Sequence, residues 1–148
     1  DDYVATYDSS AGVHRKVTLG DTSLVVASGS YFYAESDAES GTSNTIYQDK
    51  TILLASGVIA GTYRLLYTCE YQAAANNKDV SIRVFDTTVS GVYAENSQQT
   101  NNNLNWFTLS GFKKLNLSAG TRDIRWQYKA GTTSIIIRRA RLELRRVS

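Results

Sequence analysis

Residues able to do covalent chemistry are few in this chain. His14 is the only imidazole, and Asp8, Ser9 and Ser10 lie close enough in sequence to suggest a Ser-His-Asp set. A triad works through geometry, with the serine presented on a strained elbow opposite oxyanion donors. No such elbow or oxyanion loop accompanies His14, which reads as a solvated loop side chain. Cys69, the single cysteine, sits in an apolar run on the same parity as three tyrosines. A thiolate nucleophile needs a polar, electropositive setting, so Cys69 is expected to be a small buried hydrophobe. Glycoside hydrolysis needs two carboxyl groups at a set separation, and the Asp and Glu residues fall mostly in loops and on outward strand positions. No catalytic residue is therefore assigned.

Metal and ligand chemistry is also thin. Zinc-type Cys/His spacing is absent. Glu35, Asp37 and Glu39 place oxygens at alternate positions, which calcium favours, but no EF-hand loop surrounds them, and a solvated acidic loop is expected. No cofactor is expected. Asn116-Leu117-Ser118 matches the N-glycosylation pattern, which carries weight only in a chain secreted by a eukaryote. Tyr31, Tyr33, Tyr93 and Trp106 lie at or near loop edges and are the candidate contacts for a glycan or receptor, since aromatic faces stack on sugars. Trp126 shares parity with Ile124 and Tyr128 and belongs to the core. Arg138, Arg139, Arg141, Arg145 and Arg146 crowd into nine residues of the final strand. Phosphate binding, a charged subunit interface and a solvated sheet face all remain open for them. Arg139, Arg141 and Arg145 are the candidate interface residues.

The elements that must position these side chains are strands. Apolar residues make up 42% of the 148 and charged residues 20%, as in an ordinary folded soluble domain. Ten Tyr, four Phe and two Trp favour strands. A net charge of +2 argues against a nucleic-acid or membrane-surface protein, and no apolar run reaches the ~18 residues that span a bilayer. The polar DDYVATYDSS start has no signal-peptide pattern. The absence of Met suggests a piece of a longer parent.

Alternation predicts strands at 24–34, 45–55, 61–73, 79–88, 91–95, 104–112, 113–117, 122–130 and 134–147, separated by Gly, Asn, Ser and Thr clusters. Tyr63, Leu65, Tyr67, Cys69 and Tyr71 face one way, with Leu66 breaking the polar parity. Val80, Ile82 and Val84 form a second inward set, and Ile124, Trp126 and Tyr128 a third. On the last strand Ser134, Ile136, Ala140, Leu142 and Leu144 share the buried parity. Segments 35–44 and 95–105 read as surface loops. The pattern is all-β, a jelly-roll-like antiparallel β-sandwich over 24–148, preceded by a connector or arm over 1–23 that holds two short strands.

Two stretches resemble known families. Asp2, Tyr7, Asp8, Ser10, Ala11, Gly12, Lys16, Val17, Thr18 and Leu19 match a connector seen in tail-fibre and head-fibre chains of tailed bacteriophages. Gly61-Thr62-Tyr63-Arg64, the Leu117–Thr121 turn leading into 124–128, and 137–144 are similar to jelly-roll domains of viral fibres, capsid-decorating proteins and carbohydrate-binding modules. The resemblance implies a non-enzymatic protein on the virion surface, commonly a homotrimer. It would be a distal fibre or spike domain that binds a host-surface receptor or glycan, with a fibre shaft or capsid as its other virion partner. The alternatives are a capsid decoration protein and a carbohydrate-binding module of a larger enzyme. Neither nucleic-acid binding nor membrane insertion is implied.

Overall fold

The computed structural model describes residues 29–75, 78–100 and 105–148, and the backbone of two strands nearer the N-terminus. Those two, β1 (Tyr3–Asp8) and β2 (Val13–Thr18), pair antiparallel with Tyr7 opposite His14. The His14 side chain lies outside the described residues.

The remaining strands are β3 (Tyr31–Ser36), β4 (Ser40–Thr42), β5 (Gln48–Val58), β6 (Gly61–Ala73), β7 (Lys78–Asp86), β8 (Gly91–Thr100), β9 (Phe107–Leu117), β10 (Gly120–Ala130) and β11 (Ile135–Arg146). Their pairing is nested. β7 pairs with β8, β6 with β9, β5 with β10, and β3 and β4 with β11. The chain is thus one long hairpin wrapped on itself. Cross-pairs β7–β10 and β6–β11 close it into a four-stranded sheet, β5-β10-β7-β8, and a five-stranded sheet, β3-β11-β6-β9 with β4 beside β11. This is a jelly-roll sandwich.

Alternation builds the core between the sheets. Leu53, Val80, Ile82, Val84, Ile124 and Trp126 enter from the four-stranded sheet. Tyr63, Leu65, Cys69, Leu142 and Leu144 enter from the five-stranded one. Trp126 is fully buried, meets Tyr67 edge-on with centroids 5.9 Å apart, and donates its indole N–H across the core to the Arg141 carbonyl at 3.0 Å. A buried indole N–H needs such a partner.

The final strand departs from simple alternation. Ile135 and Ile137 are buried, while Ile136, expected inside, is only partly so. The parity changes at a bulge: Arg138 pairs with Glu70 and Arg141 with Thr68, leaving one residue too many on β11. Arg139 takes up the extra length in a left-handed conformation with φ 49°. A bulge shifts every later side chain to the other face, which is why Ala140, Leu142 and Leu144 are also inside.

Three further boundaries differ from expectation. Segment 35–44 contains β4 and is held by Lys50, whose buried ammonium donates to the Ala38 carbonyl and to Ser40 Oγ at 2.9 Å. The two strands expected over 104–117 are one continuous strand from Phe107. β8 runs on to Thr100, so only the end of the expected 95–105 loop remains, and 101–104 fall outside the described residues. So do the first residues of the strand expected to begin at 24.

Candidate functional site

The outward face of the five-stranded sheet carries the candidate site. Register places Tyr33 opposite Glu143, Glu143 opposite Leu66, and Leu66 opposite Phe112, so one row crosses all four main strands. Phe112 is 68% exposed and Tyr33 46%. Beside this row lies a second: Glu35, Arg141, Thr68 and Ser110. All of these except Phe112 line a trough of about 500 Å³, and Phe112 stands outside it at the β9 end of its row. The floor of the trough opens at Gly111, the cross-strand partner of Tyr67. A Cβ at Gly111 would stand 2.6 Å from the Tyr67 hydroxyl. Only a glycine leaves room for that ring.

Polar groups at one end of the trough are locked together. The Tyr33 hydroxyl donates to Glu35 at 2.5 Å, and Arg141 donates to Glu35 at 3.3 Å and to Asp37 at 3.0 Å. Those bonds, Tyr33 foremost, hold the Glu35 carboxyl below its usual range. A general acid of a glycosidase needs the opposite shift, so this carboxylate is suited to binding. Deeper in the sandwich, burial pushes the Cys69 thiol up to about 12, which removes it as a nucleophile at neutral pH.

The arginines expected at an interface occupy different settings. Arg139 sits in the bulge and donates to Glu70 at 2.9 Å. Arg138 donates to the same carboxylate at 2.7 Å and to Glu39 at 3.0 Å, and its guanidinium lies 3.7 Å over the Trp106 ring. The two arginines hold Glu70 below its usual range. Arg141 lines the trough, and Arg145 stands exposed on the same outward face, opposite Tyr31. The acidic side chains weighed for calcium are therefore occupied within the chain, Glu35 and Asp37 by Arg141 and Glu39 by Arg138. No group of ligating side chains suited to a metal occurs among the described residues.

Of the four aromatic candidates, Tyr31 and Tyr33 stand on β3 on this outward face, Trp106 lies just before β9 against Arg138, and Tyr93 is on the other sheet. Trp106 has one face covered by Arg138. Tyr93, on β8, is packed against the core, and its hydroxyl donates to buried Asp86 at 2.7 Å. Burial and that bond raise its pKa. Sequence reasoning missed Phe112, Leu66 and Glu143. Leu66 had left a trace as the apolar residue on a polar parity. Phe112 was hidden because splitting β9 at 112 put it at a strand end.

No protein-family model matches the chain, and no curated protein matches it. Solved structures do. The Eiger TNF of S. frugiperda superposes with a TM-score of 0.58 at 11% identity, covering 80% of this chain and 92% of its own. The globular domain of zebrafish complement 1qA gives 0.53 at 12% identity, covering 80% and 98%. Murine APRIL gives 0.51 at 7% identity, again covering 80% and 98%. At such identities the likeness concerns the fold, and the chain is a jelly-roll β-sandwich of the same architecture as these domains.

Proposed function

We propose that this chain is a non-enzymatic recognition and assembly domain from a bacteriophage virion, the distal domain of a fibre or spike. It self-associates as a homotrimer through the outward face of its five-stranded sheet, leaving loops free to meet a host-surface receptor or glycan. The row Tyr33–Glu143–Leu66–Phe112 carries the assembly reading. A single exposed aromatic on a sheet is unremarkable, but exposed Phe112 in one row with Leu66 and Tyr33, which line the trough, makes a surface on which association removes apolar area from water. The jelly-roll fold is compatible with the reading without selecting it. The virion setting rests on the connector-like residues 2–19.

Light scattering across a concentration range tests the proposal. The expected mass is that of three chains, and Phe112→Glu is expected to give folded monomers with an unchanged circular-dichroism spectrum. A wild-type chain that stays monomeric at every concentration, or a Phe112→Glu variant that assembles normally, would sink the reading.

A further inference from the structure

Two residues along each strand from the Phe112 row lies another row on the same face. Lys114 stands opposite Arg64, Arg64 opposite Arg145, and Arg145 opposite Tyr31. Neighbouring strands are ~4.8 Å apart, so three cations occupy a strip about 10 Å long. All three are exposed, and Tyr31 at the end of the strip is 41% exposed.

Four other arginines of the sandwich are ion-paired, while Arg83, Arg122 and Arg146 donate to neutral oxygens. Arg125, Arg138, Arg139 and Arg141 each bind at least one carboxylate. Among the described residues Lys114, Arg64 and Arg145 have no ion pair. Nor do the flanking rows supply one. On one side Thr62 and Asn116 hydrogen-bond to each other at 3.2 Å. On the other, Glu143 stands opposite Leu66 and Tyr33, one row away. Like charges directly opposed across strands destabilise a sheet. The strip therefore costs the isolated chain stability, and an anion laid along it would offset that cost.

We infer that the Lys114–Arg64–Arg145 strip, with Tyr31 at its end, binds an acidic polysaccharide. Sulfate, phosphate or carboxylate groups along the sugar chain would lie on successive cations, with a sugar ring against the exposed tyrosine. The narrowness of the strip favours this over a nucleic acid. A nucleic-acid site combines a broad basic surface with aromatics for successive bases, whereas this chain has a net charge of +2 and one aromatic in the row. The inference does not rest on the self-association reading, because it uses none of the side chains of the Phe112 row; since both rows lie on one face, it requires that contacts along the Phe112 row leave the strip at the rim, open to solvent.

The test compares dextran sulfate with uncharged dextran of the same length, titrated into the full chain at several salt concentrations. The wild type should bind dextran sulfate and ignore dextran, with affinity falling as salt rises. In the double variant Arg64→Gln, Arg145→Gln, binding should weaken about tenfold or more and the salt slope should flatten by about one unit per cation removed. Arg139→Gln, a cation already paired, should bind as the wild type does. At low salt the double variant should melt no lower than the wild type, which separates lost binding from lost folding. Its mass by light scattering reports separately on self-association. Failure of the wild type to bind dextran sulfate, undiminished binding by the double variant, a lowered melting temperature, or tighter binding of single-stranded DNA would each overturn the inference.

Discussion

The outward faces of the two sheets are built from similar residues and arranged differently. On the four-stranded sheet one row runs Asp49, Gln127, Arg83, Glu95. Gln127 donates to Asp49 at 2.7 Å, Arg83 donates to Gln127 at 2.9 Å, and Tyr47 donates to Glu95 at 2.8 Å. Arg125 binds Asp49 at 2.6 Å and grips Asp123 with two nitrogens. Arg83 is sandwiched between the Tyr47 and Phe85 rings. Burial and the Glu95 bond push the Tyr47 hydroxyl up to about 12. Acidic and basic side chains on this face meet each other directly or through Gln127, so the face satisfies itself. Its exposed apolar side chains stand on the two edge strands, Ile52 and Leu54 on β5 and Val92 on β8. The five-stranded sheet instead sets three cations in line and leaves Phe112, Tyr33 and Tyr31 open beside a trough. Opposite charges across strands stabilise, like charges destabilise, and exposed aromatics retain a cost of hydration that a partner can relieve. The first face is finished in the isolated chain and the second is not.

The sharpest way to break this contrast is to place a charge at matching outward positions of the two faces. Phe112→Glu should abolish assembly, while Val92→Glu on the four-stranded sheet should leave the mass in solution unchanged. Equal effects would mean that the faces do not differ in role. Gly111→Ala comes next. The added methyl must displace the Tyr67 ring, which packs on Trp126, and overpacking of this kind costs about 1–3 kcal/mol; urea unfolding would measure it.

Arg125→Ala, on the finished face, takes the cation from Asp49, which keeps its bond from Gln127, and from Asp123, and should cost about 1–2 kcal/mol. Arg145→Gln, on the open face, should change stability by less than about 0.5 kcal/mol, and in the stabilising direction at low salt. Similar losses for the two arginines would contradict the view that only one face is closed. Acid titration gives the smallest and most distributed effect. Glu35, Glu70 and Asp123 are held below their usual values by their arginine partners and, for Glu35, by Tyr33. Groups with depressed folded-state values stabilise the fold above their unfolded pKa and lose that contribution as protons bind. The melting temperature should therefore hold near neutral pH and fall below about pH 4.5 as these carboxylates protonate.

Much of the sandwich was legible in the chain. The inward sets on β6, β7 and β10 follow from strict period-two alternation, and the structure buries Tyr63, Leu65, Cys69, Val80, Ile82, Val84, Ile124 and Trp126 as that alternation requires. The last strand shows where such reading stops. Three consecutive isoleucines carry no parity of their own, and the bulge at Arg138–Arg139 is set by pairing with β6, which local sequence does not encode. The short strand β4 was concealed for a related reason. Its Ser-Gly-Thr sequence has weak strand preference, and Lys50 and β11 hold it in place.

By itself, then, the sequence determined the fold class, the inward sides of most strands and the burial of Trp126 and Cys69, because a strand's two faces follow from adjacent residues. Only the tertiary structure decided which outward residues become neighbours. Tyr33 and Phe112 are separated by 79 positions along the chain and share a row because the nested pairing sets their register. The same pairing spent Arg138, Arg139 and Arg141 on carboxylates of the chain itself and left Lys114, Arg64 and Arg145 in line. Charge is written residue by residue, but whether a charge meets its opposite or its like depends on strand register, and register is a property of the whole sheet.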